Sequence, residues 1–251
     1  CESTALAWEA RAAQGGLESA RLALAEQAWA QGDHAAYLAW ALPVARATRG
    51  NLVGKRSNAI SPEQVEALAK CAKILAAQPD SSERDIRNFW ECAASHGNAQ
   101  AQLDFGQWLA CTPGDDEPAA RVPSPSDLDM SAQLLVMAGR QGKVEAWYAL
   151  SQLYGSAHHP RPSNALQRHY LKKAAERGHR QAQYECGLHA WNNGEARASG
   201  VVRAIYWLEL ANDKGCAASR ELLQQIRQIE TELLCNARIA SSASMNALFT
   251  A

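Results

Sequence analysis

Glycine recurs along this chain with a fixed set of neighbours. Gly16, Gly50, Gly97, Gly142, Gly178 and Gly215 stand 34, 47, 45, 36 and 37 residues apart. Eight residues before them come Trp8, Leu42, Phe89, Leu134, Tyr170 and Trp207, and four before them Ala12, Arg46, Ala93, Ala138, Ala174 and Ala211. Ala20, Ala101, Ala146 and Ala182 follow at four, Leu22, Leu103, Tyr148 and Tyr184 at six, and Ala25, Gly106, Ser151 and Gly187 at nine. A period near 36 with longer inserts accommodates two helices and their turns. Glycine supplies the left-handed stop, small residues let neighbouring backbones approach, and large ones fill the space between layers. Composition agrees: 50 Ala and 26 Leu stand against 15 Val plus Ile, which favours helices over strands.

The register is clearest in Tyr170-Leu-Lys-Lys-Ala-Ala-Glu-Arg-Gly-His-Arg-Gln-Ala-Gln-Tyr-Glu-Cys-Gly-Leu and in Ala204-Ile-Tyr-Trp-Leu-Glu-Leu-Ala-Asn-Asp-Lys-Gly. These segments resemble the Sel1-like repeat, a relative of the tetratricopeptide repeat. The match is strongest over Asn164–Gly215, fair over Phe89–Gly142 and Trp8–Gly50, and absent over Asn51–Ser82. The resemblance implies an α-solenoid of antiparallel helix pairs that binds other proteins and carries no catalytic residues. The expected architecture is all-α, about twelve helices in a single domain over 1–251. Its units span about 17–50, 51–97 (atypical), 98–142, 143–178 and 179–215, with a capping helix over 216–238.

Local signals refine the element boundaries. A kink is expected at Pro43, inside a helix over His34–Arg49. Asn51–Ile60 reads as a loop, and Ser61-Pro62-Glu63-Gln64 opens a helix with a capping box. Thr112–Asp127, with four prolines, Gly155–Ser163 and Asn192–Gly200 read as further loops. Leu222, Ile226, Ile229 and Leu233 form the apolar stripe of the closing helix, Ala218–Asn236. The eight tryptophans fall mostly at repeat-core offsets and read as fillers between helices.

In solenoids of this kind the first helix of each pair lines the concave surface. Its polar stripe here is Gln100, Asp104 and Gln107, then Glu145 and Gln152, then Gln181, Glu185 and Asn192, with Ser19 and Glu26 near the start. Any amphipathic helix has a solvated face, which is the plain alternative to a partner-binding groove. As a groove, it predicts that reversing Asp104 or Glu185 to Lys weakens binding without lowering the melting temperature. The two loops Thr112–Asp127 and Gly155–Ser163 offer a second candidate surface.

Other chemistries find little footing. Lys+Arg 25 against Asp+Glu 26 gives a net charge of -1, without the positive field that nucleic-acid binding uses. His158, His159, His169 and His179 lack the helical i, i+4 spacing of a metal site. No hydrolase, zinc-protease, phosphate-loop or Cys-x-x-Cys motif occurs, and no cofactor is implied. No apolar run reaches the roughly 20 residues of a membrane span.

Cysteine supplies the compartment expectation. A chain beginning at Cys1 resembles a bacterial lipoprotein cut before its acylated cysteine, which implies a lipid anchor at Cys1 in the periplasm or outer membrane. In an oxidising compartment Cys71 and Cys92, offset by roughly 5 Å on paired helices, could form a disulfide; Cys71 with Cys111 competes, and Cys186 reads as a core thiol. The first reading is therefore a non-catalytic, monomeric, periplasm-facing lipoprotein that binds a partner protein. In one version it resembles the Sel1-like immunity proteins that neutralise secreted toxic effectors. An assembly scaffold for a secretion or polysaccharide-export complex is an alternative. So is an enzyme or carbohydrate-binding module using the atypical 51–82 segment and loops.

Overall fold

A computed structural model describes residues 2–53, 60–78, 80–110, 123–156, 159–194 and 198–232. Cys1, Cys111, most of Thr112–Asp127 and the last residues of the expected capping helix lie outside these. The chain divides into two compact units, Cys1–Ala146 and Trp147–Ala251. The first carries α1 (Glu2–Gln14), α2 (Glu18–Ala30), α3 (His34–Val53), α4 (Pro62–Ala76), α5 (Glu83–Ser95), α6 (Ala99–Ala110), α7 (Pro125–Arg140) and the start of α8 (Val144–Gly155). The second carries the remainder of α8, α9 (Asn164–Glu176), α10 (Arg180–Gly194), α11 (Ala198–Asp213) and α12 over 217–232. The described residues are all-helical with no strand, an α-solenoid in fold class.

Gly16, Gly97, Gly142, Gly178 and Gly215 have φ between 77° and 95°, a range in which a Cβ is strained. Each ends a helix in the same way. At Gly97 the amide of Asn98 donates to the Ala93 carbonyl (3.3 Å) and the Gly97 amide to Ala94 (3.0 Å). The acceptor four before the glycine is the recurrent alanine of the sequence register, buried completely at Ala93, Ala138, Ala174 and Ala211. Gly50 departs from the rule. It is helical, inside α3, and the left-handed stop lies instead at Gly32 (φ 74°), with Asp33 donating to Ala28. Arg46 at the −4 position of Gly50, where the others have Ala, marked the misfit.

Two other boundaries move. α3 runs through Pro43 to Val53, past the expected loop start at Asn51. α7 begins at Pro125 rather than Asp127, because Ser124 accepts from the Asp127 amide while Asp127 accepts from Ser124 in a capping box. Ser124-Pro125-Ser126-Asp127 thus repeats the arrangement at Ser61-Pro62-Glu63-Gln64, where the expected box is present at 2.9 and 3.2 Å. Proline at the first helical position costs no hydrogen bond, so it opens α7 rather than breaking it.

Equivalent positions in the two units pack alike. Gly106 on α6 and Gly187 on α10, both nine after a register glycine, lie where a Cβ would meet Leu135 Cγ at 2.8 Å and Leu208 Cγ at 2.7 Å. Five after the same glycines stand Gln102 and Gln183, both buried, whose Nε2 groups donate to the Ala94 and Ala175 carbonyls at 3.1 Å. The shared Gln-Ala-Gln at 100–102 and 181–183 is the sequence signal for these glutamines, whose role only the packing shows. Leu68, Phe89, Phe105 and Leu109 centre the first unit's core; Leu208, Leu223 and Ile226 pack together in the second. Trp90 and Trp147 are buried as expected, whereas Trp8 is 69% exposed.

Candidate partner-binding surface

In the first unit the first helices of successive pairs, α2, α4 and α6, are tied by polar side chains. Gln64 donates to Glu18 at 2.9 Å, and Lys70 bridges Glu26 (2.7 Å) and Glu66 (2.9 Å). Lys73 reaches Asp104 at 3.2 Å, Gln100 donates to Asp104 at 2.8 Å, and Lys143 donates to Gln100 at 2.7 Å. Burial opposes the charge on Lys70, but the two glutamates outweigh it and hold its pKa above the ordinary value. Beside this row a groove floored by Leu22 and Ala23 is edged by Glu26, Glu63 and Glu66.

The second unit has a shorter row. Gln181 donates to Glu185 at 3.3 Å, and the Tyr148 hydroxyl donates to the same carboxylate at 2.7 Å. Burial first, and then this carboxylate, push the Tyr148 pKa up. Tyr148 also stacks on His179 at 4.3 Å between ring centroids.

All eight stripe residues are at least partly exposed: Gln100, Gln107, Glu145, Gln152, Gln181 and Asn192 openly, Asp104 and Glu185 only in part. Gln100, Asp104, Gln107 and Glu145 belong to the first unit, and Gln152, Gln181, Glu185 and Asn192 to the second. Both acids singled out for charge reversal already make contacts within the structure. Asp104 holds Lys73 and Gln100, and Glu185 holds Tyr148. Reversal at Glu185 therefore removes an internal hydrogen bond, so it acts on stability as well as on the surface charge.

Four cysteines lie among the described residues, while Cys1 and Cys111 lie outside them. Cys71 and Cys92 are free, buried thiols rather than a disulfide. Cys71 lies near Arg46 and Cys92 near Arg49, both on α3. Burial pushes the Cys71 thiol up to about 12, against the pull of Arg46. Cys186 is half-buried and lines a cleft rather than being enclosed in the core. Among the described residues no group of three or more His, Cys, Asp and Glu could hold a metal, and no helix is long and apolar enough to cross a membrane.

No protein-family model matches the sequence, and no curated protein matches it. Solved structures do. A protective antigen present in uropathogenic Escherichia coli strains, displaying an SLR (Sel1-like repeat) fold, aligns with a TM-score of 0.56 at 17% identity over 88% of this chain. The chain spans only 44% of that protein. A Sel1 repeat protein from Oxalobacter formigenes aligns with a TM-score of 0.54 at 17% identity, over 84% of this chain and 79% of its own. The helix pairs, their glycine stops and these two alignments together establish that the chain has the Sel1-like repeat fold.

Proposed function

We propose that this chain is a protein-binding solenoid that engages a partner through the polar rows of its first helices. The observation that carries the reading is the row across α2, α4 and α6. Three helices of successive pairs there hold a shared set of charged and amide side chains at the surface, pre-arranged by mutual hydrogen bonds. Groups fixed in this way lose little side-chain freedom when a partner docks. The Sel1-like fold supports the same reading. In its sharpest form the partner is a secreted toxic effector that the chain neutralises by occlusion, a form supported by the family resemblance alone.

Gln107 and Glu145 are exposed members of the stripe and serve the test best. The immobilised chain, presented with a native bacterial envelope extract and read by mass spectrometry, is expected to retain a protein that the Gln107→Lys, Glu145→Lys double variant loses. The variant's melting temperature should stay within a degree or two of the parent's. Retention of nothing, or of the same protein by both, overturns the reading.

A further inference from the structure

The repeat supplies its own comparison for the polar rows. Gln100, Gln102, Asp104 and Gly106 on α6 stand at the same offsets from Gly97 as Gln181, Gln183, Glu185 and Gly187 on α10 do from Gly178. The internal contacts of the two segments agree. Gln102 and Gln183 satisfy the helix before, while Gln100 and Gln181 donate to the acid four residues on, at 2.8 and 3.3 Å. In the first unit both remaining acceptors hold ammonium groups. Lys73 donates to Asp104 Oδ2 at 3.2 Å, and Lys143 donates to Gln100 Oε1 at 2.7 Å.

The second unit keeps the acceptors without the lysines. The donor that reaches Glu185 from the preceding first helix is the neutral Tyr148 hydroxyl, at 2.7 Å on the same Oε1 that Gln181 uses. Among the described residues no Lys or Arg pairs with Glu185, so its Oε2 and its charge stay open. Lys143 directly follows Gly142; the residue that directly follows Gly215 is Cys216, which is buried and carries no ammonium for Gln181. Glu185 is partly and Gln181 openly exposed, so a partner can reach both. Two donors on Oε1 hold the carboxylate in place, so presenting Oε2 costs little further side-chain freedom. A charged donor on a carboxylate partly shielded from water also makes a stronger contact than a fully exposed pair does.

We propose that Glu185 and Gln181 receive a lysine side chain of a partner protein, its ammonium on Glu185 Oε2 beside the Gln181 carbonyl oxygen. It would stand in for Lys73 and Lys143, which serve the equivalent acceptors of the first unit. The proposal rests on the protein-binding reading above and assigns the partner's chemistry at one point of the polar row.

The probe is a blocked peptide of alternating Ala-Lys units, titrated into the full chain and followed through the glutamine side-chain amide signals by NMR. The Gln181 amide is expected to shift saturably, and the Gln100 amide, whose acceptors are taken, to stay in place. Glu185→Gln keeps an acceptor for Tyr148 and removes the charge. It should weaken binding at least threefold, as should raising NaCl from 50 to 500 mM. In the Lys73→Met, Lys143→Met variant, Gln100 should respond as Gln181 does. A silent Gln181, equal affinity in Glu185→Gln, a Gln100 that stays silent without its lysines, or equally tight binding of spermidine overturns the proposal. If the envelope partner is retained by the parent and equally by Glu185→Gln, this site is excluded while protein binding stands. If the parent retains nothing, the broader reading fails and this one with it.

Discussion

Glycine has three uses in this chain, and only the surroundings tell them apart. At Gly178 and its equivalents it takes φ near +90° to end a helix. At Gly187 it lets Leu208 and the Ala204 carbonyl approach to within 3.3 Å of where a Cβ would stand. At Gly50 it does neither, lying exposed in helical conformation with nothing within 4 Å of a Cβ. Alanine is the better helix former by roughly 1 kcal/mol. Gly50→Ala is therefore expected to stabilise the chain by about 0.5–1 kcal/mol. Gly187→Ala should destabilise it by about 1–3 kcal/mol, because Leu208 is fully buried and overpacking outweighs propensity. Denaturant midpoints moving in opposite directions would bear this out; a shift of the same sign at both would contradict it. The sequence alone could not separate these uses, since all three place Gly in an Ala-rich helical context.

At the scale of elements, caps and stops define the helices more sharply than hydrophobic periodicity does. The box at Ser61 was legible because a clear apolar run follows it. The box at Ser124 was hidden by the prolines around it, and Pro125 belongs to the helix it opens. Its consequence extends beyond α7: the Asp127 carboxylate, held at the helix start, receives Arg87 of α5 at 2.8 Å. Ser124→Ala removes the side-chain acceptor for the Asp127 amide, and a loss of about 1 kcal/mol in unfolding free energy is expected by chemical denaturation. An unchanged midpoint would show that the cap is dispensable. The buried glutamines belong to this scale too. Gln102 and Gln183 satisfy carbonyls at the end of the preceding helix, across the glycine turn, so each turn is fixed from both sides.

At the scale of the whole molecule, six groups among the described residues shift their pKa in one direction. Cys71, Cys92, Cys186, Tyr37, Tyr148 and Lys70 all hold their protons more tightly than usual, burial being the leading cause for the thiols and phenols and carboxylate contacts for Lys70. A raised pKa in the folded chain contributes stability that is complete below the unfolded value and is lost as pH rises towards the folded one. For Cys71 that window opens near 9 and extends to about 12. The melting temperature is thus expected to fall between pH 8 and pH 10.5, and Cys71→Ala to fall less steeply over the same range. A flat profile for the parent chain, or identical slopes for both, would refute the assignment.

Much of the fold was readable before any coordinates: glycine, alanine and the large apolar residues recur at fixed offsets because each helix pair must stop, approach and fill in the same way. The glycine stops other than Gly50, the capping box at Ser61 and the eight-residue polar stripe all follow from local spacing, which the chain cannot hide. Tertiary structure alone decided what those polar groups do. Asp104 and Glu185 occupy ordinary solvent-face positions in sequence, yet packing brings Lys73 and Tyr148 from other helices onto them. Cys186 reads from sequence as a core thiol, while three helices together make it line a cleft with Arg168, Lys172 and Arg203. Periodicity reports the face a residue occupies on its own helix; the charges it meets come from elements distant in sequence, whose approach only folding sets.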